Sequence, residues 1–301
     1  MTAPASAATT IARVGVVGGG LMGSGIAQVA AQTGLTTIVR ELTDALCTRA
    51  RTTITRSLDK AVEKGKLTPD DRTATLQRLT FTTQLDGLAA CDIIVEAVVE
   101  DLDVKNTLWR ELHALAGERT IFASNTSSLT VAAMGAASGR PDRLVGLHFF
   151  NPVPLMRLVE VVRTITTSED TFERSLEFVR RLGKQPIVAR DQSGFIVNRL
   201  LIPYMLDAIR ALENGVGSVT DIDTGMQLGA GYPMGPFTLL DFVGLDTVQR
   251  VAEVMFDEYR EQRFAPPPLL RRLVLAGHLG RKSSRGFYDH SVDPPVPSRL
   301  A

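Results

Sequence analysis

Short apolar runs alternate with stretches of helical periodicity over the first 190 residues, and the alternation stops near Asp191. The run Val-Gly-Val-Val between Arg13 and Gly18 predicts a strand. It leads straight into Gly18-Gly19-Gly20-Leu21-Met22-Gly23, after which Ile26, Val29 and Ala30 mark the apolar face of a helix that Gly34 closes. A second strand is predicted over 36–40 and a helix over 42–65. A buried strand follows from Asp92 to Val98, then a helix through His113 and Leu115 and a strand from Thr120 to Ala123. His113 has charged neighbours and is expected to be exposed and without a role. Two more strands, Arg143 to Phe149 and Leu158 to Arg163, flank a turn holding Pro152 and Pro154. Strands that alternate with helices call for a mostly parallel sheet with helices on its faces.

Beyond Asp191 the pattern is helical throughout. One long helix, kinked by Pro203, is predicted over 195–213 and ends at Asn214-Gly215. A shorter one is capped by Ser218, residues 229–236 form a tight loop, 236–260 is again helical, and a last helix follows Pro266-Pro267-Pro268. The expected organisation is a disordered tail over 1–10, an α/β domain over 11–190 and an all-helical domain over 191–301. The helical part carries more apolar surface than its size should bury, which predicts a two-fold homodimer through it.

Composition narrows the functions. Thirty-three basic residues balance thirty-three acidic ones, so no overall field draws nucleic acid or an anionic membrane. No stretch reaches the roughly 18 apolar residues of a membrane span. Cys47 and Cys91 fit neither a metal spacing nor a disulfide framework, which points to a reducing compartment, the cytoplasm by default, and to no bound metal.

The candidate chemistry starts at the glycine loop. Strand, G-x-G-x-x-G and helix together form a dinucleotide site of the Rossmann type: Gly18 makes the turn, Gly20 admits a pyrophosphate, and Gly23 lets helix pack on strand. Glu41, about 20 residues on, is placed to hold ribose hydroxyls and to repel a 2′-phosphate, favouring NAD, while the adjacent Arg40 leaves NADP as the minority reading. Ser124-Asn125-Thr126-Ser127-Ser128 is a polar cluster at a strand's carboxyl end, with Ser127 as a ligand contact and Ser128 or Thr130 as a helix cap. His148 and Glu160 cannot share a helix face across the two prolines. Neighbouring strands would instead set the carboxylate against the imidazole, giving a general base and its orienting acid. Basic residues along 49–66 read as a solvated face, or, at Lys64 and with Ser57, as contacts to a phosphorylated substrate arm. Asn198 stands out as polar in an apolar stretch.

Taken in order, these motifs resemble the 3-hydroxyacyl-CoA dehydrogenase family, especially its short, single-function 3-hydroxybutyryl-CoA dehydrogenases. The likeness runs from about residue 13 to Tyr288. It rests on residues 18–27, Val-Glu-Ala at 95–97, Ala-Ser-Asn-Thr-Ser-Ser-Leu at 123–129, His-Phe-Phe-Asn-Pro with Leu-Val-Glu-Val at 148–161, Gly-Phe-Ile-Val-Asn-Arg at 194–199, Tyr-Pro-Met-Gly-Pro at 232–236, and Gly-Arg-Lys with Gly-Phe-Tyr at 280–288. The resemblance implies His148 as catalytic base, Glu160 as its partner, and Ser127 and Asn198 beside the substrate's 3-oxygen. It further implies Gly18, Gly20, Leu21, Met22, Gly23, Glu41, Glu100, Lys105, Asn151 and Lys282 along the cofactor, and Ser57 and Lys64 at coenzyme A. Three positions depart from the family pattern: Glu41 where Asp is frequent, Gly19 where Ala is frequent, and Ser193 in place of Pro. The implied reaction is reversible NAD-dependent oxidation of a (3S)-3-hydroxyacyl-CoA. The alternatives are a dehydrogenase of free hydroxy acids or polyols, and a non-catalytic, crystallin-like nucleotide-binding protein.

Overall fold

The computed structural model describes residues 10–299, so the expected tail over 1–10 lies outside the described residues except for Thr10. The chain divides into two compact units, with the division between Gln192 and Ser193.

The first unit is built on one eight-stranded sheet. Its elements in chain order are β1 (Arg13–Val17), α1 (Leu21–Gln32), β2 (Thr36–Arg40), α2 (Asp44–Glu63), α3 (Pro69–Gln77), β3 (Leu79–Thr82), β4 (Ile93–Glu96), α4 (Leu102–Leu115), β5 (Ile121–Ser124), α5 (Val131–Ala137), β6 (Leu144–Phe149), β7 (Leu158–Arg163), α6 (Glu169–Arg181) and β8 (Gln185–Arg190). The strand order is β3-β2-β1-β4-β5-β6-β7-β8. β3 to β6 pair in parallel through β1, whereas β7 runs antiparallel to β6 and carries β8 parallel to itself. The sheet is thus mostly parallel, as the alternating pattern requires. Its central strands are buried on both faces, with Val14, Val16, Ile93, Val95, Ile121 and Ala123 almost wholly hidden, which is why they read as continuous apolar runs. The order reverses at β1, where β2 lies on one side and β4 on the other, and ligands bind at such a switch point.

Local chemistry sets the helix starts. Thr43, Thr68, Asp101 and Ser168 each accept a backbone N–H at the first turn of α2, α3, α4 and α6. α3 and β3 are not announced by periodicity: α3 is short and polar, and only Thr75 in it is buried. Neither Ser128 nor Thr130 caps α5. The amides of Val131 and Ala132 donate instead to the two carboxylate oxygens of Asp191, at 2.7 and 2.6 Å, a partner 60 residues away that no local pattern could indicate.

The second unit contains α7 (Val197–Glu213), α8 (Val219–Thr224), a π-helical turn (Gly225–Gly229), α9 (Pro236–Val243), α10 (Leu245–Tyr259) and α11 (Pro268–Leu275). Ser218 caps α8, and Pro203 sits inside α7. The helix expected over 236–260 is two helices. Gly244 separates them at φ +101°, a backbone state that side chains disfavour. A two-residue hairpin, β9 (Tyr288–Asp289) with β10 (Val296–Pro297), is a small departure from an all-helical unit. Phe237, Leu240, Leu245, Met255, Phe264 and Phe287 fill its core. No helix among the described residues is long and apolar enough to cross a membrane.

Candidate active site

The glycine loop and the ends of β1, β2 and β4 surround an open pocket of about 760 Å³, lined by Gly18, Gly20, Glu41 and Val98, with Arg40 and Val104 among its other walls. Gly18 has φ +92°, and a Cβ there would lie 2.6 Å from the Ala97 carbonyl; a Cβ on Gly23 would collide with the Gly18 carbonyl at 1.7 Å. At Gly20 a Cβ would meet nothing within 4 Å, so that glycine keeps one side of the loop open rather than relieving a clash. α1 begins with no side-chain cap, which leaves its first amides available to an anion. Leu21 is 67% exposed at that start, and Met22 packs against the core. Glu41 turns its carboxylate to the loop, accepting the Gly19 amide at 2.6 Å and the Leu42 amide at 3.1 Å. These features fit a dinucleotide: free amides for a pyrophosphate, backbone that can be approached, and an acid at the far side.

At the same carboxyl edge of the sheet, β6 ends with His148 and Phe149. The antiparallel register of β6 with β7 sets His148 directly opposite Glu160. Their side chains meet, His148 Nδ1 to Glu160 Oε2, at 2.6 Å, with both residues buried. A carboxylate on Nδ1 favours the tautomer with its proton there, an arrangement that can serve general acid–base chemistry. Phe150 stands against the ring at 4.5 Å between centroids. The end of β6 is tied to β5 by the Phe149 amide, which donates to Asn125 Oδ1 at 3.0 Å.

Ser127 lies in a second polar cluster of the same unit. Glu100 Oε1 accepts from the Thr126 hydroxyl (2.6 Å), the Ser127 amide (2.9 Å) and the Ser128 amide (3.2 Å), while its Oε2 faces Lys105 at 3.2 Å. Burial alone would raise the Glu100 carboxyl, but the Lys105 ammonium, the Thr126 hydroxyl and the Ser127 amide outweigh it and hold it below the usual carboxylate range. Lys105 is 1% exposed, and its ammonium also meets Glu96 at 2.5 Å. Glu96, itself buried, takes the Ser124 hydroxyl at 2.6 Å and the Val98 amide at 2.9 Å. α4 therefore turns Asp103, Val104 and Thr107 to the pocket while Lys105 points into the protein. Glu96 and Asn125 are the residues that sequence reasoning passed over. The available signal was a lone acid in the buried strand Ile-Ile-Val-Glu, which had to find a cation.

Ser57 is half-buried on α2 and Lys64 is the exposed residue at its end; Asn151 is exposed on the turn after β6. Asn198 lies in the first turn of α7 and Lys282 pairs with Asp246 at 2.5 Å, both within the second unit. His113 is exposed as expected, yet its Nδ1 accepts from Arg140 Nε at 3.2 Å, which gives it a structural part in the end of α4.

The descriptions "3-hydroxyacyl-CoA dehydrogenase, NAD binding domain" and "3-hydroxyacyl-CoA dehydrogenase, C-terminal domain" match residues 13–192 and 194–290. The chain belongs to the 3-hydroxyacyl-CoA dehydrogenase family. It is 49% identical over 282 residues to a 3-hydroxybutyryl-CoA dehydrogenase of Mycobacterium tuberculosis, covering 93% of this chain and 99% of that one. It is 47% identical over 297 residues to the human mitochondrial hydroxyacyl-coenzyme A dehydrogenase, covering 96% and 95%. The crystal structure of (S)-3-hydroxybutyryl-CoA dehydrogenase from Ralstonia eutropha superposes with a TM-score of 0.91 at 41% identity, over 94% of this chain and all of that one. Within this 3-hydroxyacyl-CoA dehydrogenase, the matched NAD binding domain contains the glycine loop, the pocket and the His148–Glu160 pair.

Proposed function

We propose that the chain catalyses reversible, NAD-dependent oxidation of (3S)-3-hydroxyacyl-CoA, with 3-hydroxybutyryl-CoA the preferred substrate. The observation that carries this reading is the 2.6 Å contact of His148 Nδ1 with Glu160, at the same sheet edge as the glycine loop, in a chain of this family. His148 Nε2 takes the proton of the 3-hydroxyl, and in the reverse direction the protonated ring returns it to the 3-ketone. Glu160 keeps the ring oriented and lowers the cost of its positive charge, help on the order of 10² to 10⁴ in rate. NAD, when bound, supplies the hydride acceptor. Gly18, Gly20, Leu21, Met22 and Gly23 would hold its pyrophosphate end and Glu41 its ribose; the family resemblance assigns Glu100, Asn151 and Lys282 to the same cofactor, while Lys105, turned into the protein, would act on it only by holding Glu100 ionised. Glu41 disfavours a 2′-phosphate and thereby NADP.

The family resemblance assigns Ser127 and Asn198 to the substrate's 3-oxygen, and Ser57 and Lys64 to coenzyme A. The partner of the second unit is another copy of the chain, supported by Leu200, Val216, Leu228 and Leu275, each 70% or more exposed there. Cys47 and Cys91 are both buried as free thiols, which supports a reducing, cytoplasmic setting. The deciding assay follows NADH consumption with acetoacetyl-CoA and, in parallel, NADPH and CoA-free 3-ketoacids. Turnover confined to CoA-free acids would overturn the substrate reading, and a preference for NADPH would overturn the cofactor reading.

A further inference from the structure

The turn between the two strands of the His148–Glu160 pair is held from outside by a lysine to which neither the motifs nor the mechanism gives a part. Lys184 stands after α6, immediately before β8, and its Nζ donates to the Val153 carbonyl at 2.6 Å and the Met156 carbonyl at 2.7 Å. The next residue continues the clamp, its Gln185 amide donating to the Arg157 carbonyl at 2.7 Å. Inside the turn, the Leu155 and Met156 amides share the Pro152 carbonyl. The clamped segment does not hang free on its other side. Val153 is 2% exposed, and a Cβ on Gly25 of α1 would lie only 2.8 Å from the Val153 Cβ. The turn is thus wedged between the Lys184 ammonium and the helix whose first amides form the glycine-loop site.

We propose that Lys184 is a positioning residue for dinucleotide binding: by fixing Val153 and Met156 it seats the turn beginning at Asn151 against α1. The proposal rests on the reading of the glycine-loop pocket as the dinucleotide site. Burial lowers the Lys184 pKa, the direction expected of an ammonium partly withdrawn from water; it is the two short contacts to carbonyls that hold it in place. Charge-assisted bonds of this kind are stronger than neutral ones, and a methyl-ended side chain of similar length would leave both carbonyls unanswered.

The test is a fluorescence titration of NADH into the full-length chain, without acyl-CoA, beside steady-state kinetics and thermal melting. Lys184→Met is expected to raise the NADH Kd and KM at least about fivefold while kcat at saturating NADH stays within about twofold. Lys184→Arg, which still donates to two carbonyls, is expected to restore the Kd to near the wild-type value. An unchanged Kd in Lys184→Met overturns the proposal, as does a loss that Lys184→Arg fails to rescue. Should Lys184→Met not fold, Lys184→Gln enters the same comparison. A wild-type chain that takes up no NADH would instead sink the dinucleotide reading itself.

Discussion

Two histidines in this chain lie against buried carboxylates, and the pairs are built for different ends. His148 meets Glu160 at 2.6 Å through Nδ1, from the end of a strand in the large sheet. His290 meets Asp241 at 2.9 Å through Nε2, just after the two-residue strand β9. Asp241 also accepts the Phe287 amide at 2.9 Å and the Tyr288 amide at 2.8 Å, and the backbone of Gly280 and Gly286 closes over it so tightly that a Cβ on either would come within 2.4 Å. That carboxylate is a strut that shapes the end of the second unit. The difference teaches that distance and burial do not by themselves mark a catalytic pair. What separates the two in the structure is which ring nitrogen meets the carboxylate, Nδ1 in His148 and Nε2 in His290.

The sharpest way to break this contrast is to remove each ring. His148→Ala should lower kcat by a factor on the order of 10² to 10⁴, with NADH binding retained, whereas His290→Ala should leave kcat of the folded enzyme near wild type. Substantial turnover in the first variant would strip His148 of its role. The carboxylates come next. Glu160→Gln should cost about two orders of magnitude in kcat with little change in melting. Asp241→Asn, which sets an amide NH₂ against backbone donors, should cost about 2–4 kcal/mol of stability while the folded fraction still turns over. If Asp241→Asn abolished catalysis at unchanged stability, the strut reading would fall.

Acid titration sharpens the comparison further, because a half-buried and a buried carboxyl, Glu100 and Asp241, shift in opposite directions. Glu100 is held below its ordinary 4.5, so its stabilising contribution is complete above that pH and fades as the pH drops through the lowered value. Asp241 is raised above 3.8 by burial, despite its amide donors and His290, so its share of stability declines as the pH rises through the raised value. The melting gap between wild type and Glu100→Gln should therefore shrink below pH 4.5. A gap that stayed constant there would mean Lys105 does not hold Glu100 ionised. The smallest effect is expected at Glu41→Ala, where the preference for NADH over NADPH should relax by about three- to tenfold, as the ratio of kcat/KM values would report.

Much of the site was readable before any coordinates. Strand, glycine loop and helix follow one another within 20 residues, and the alternating strands around the two prolines place His148 and Glu160 on neighbours. The network around Lys105 was harder, since Glu96 and Glu100 come from one stretch and Thr126–Ser128 from another, and only sheet pairing of β4 with β5 draws the two together. The capping of α5 was misread because Ser128 and Thr130 are the usual residue types for the task, and Asp191 supplanted them from the far end of β8.

Sequence by itself determined the class of the fold, the glycine loop and the identity of the imidazole and its carboxylate, because each follows from residue types at short, regular spacing. Tertiary structure alone decided where the charges go: Lys105 into a buried cluster rather than the pocket, Asp191 to a distant helix end, Lys184 to two carbonyls of the turn. The physical reason is that a buried ion or an orphaned amide must be satisfied by whatever group the packed chain brings within about 3 Å, and that group is chosen by topology.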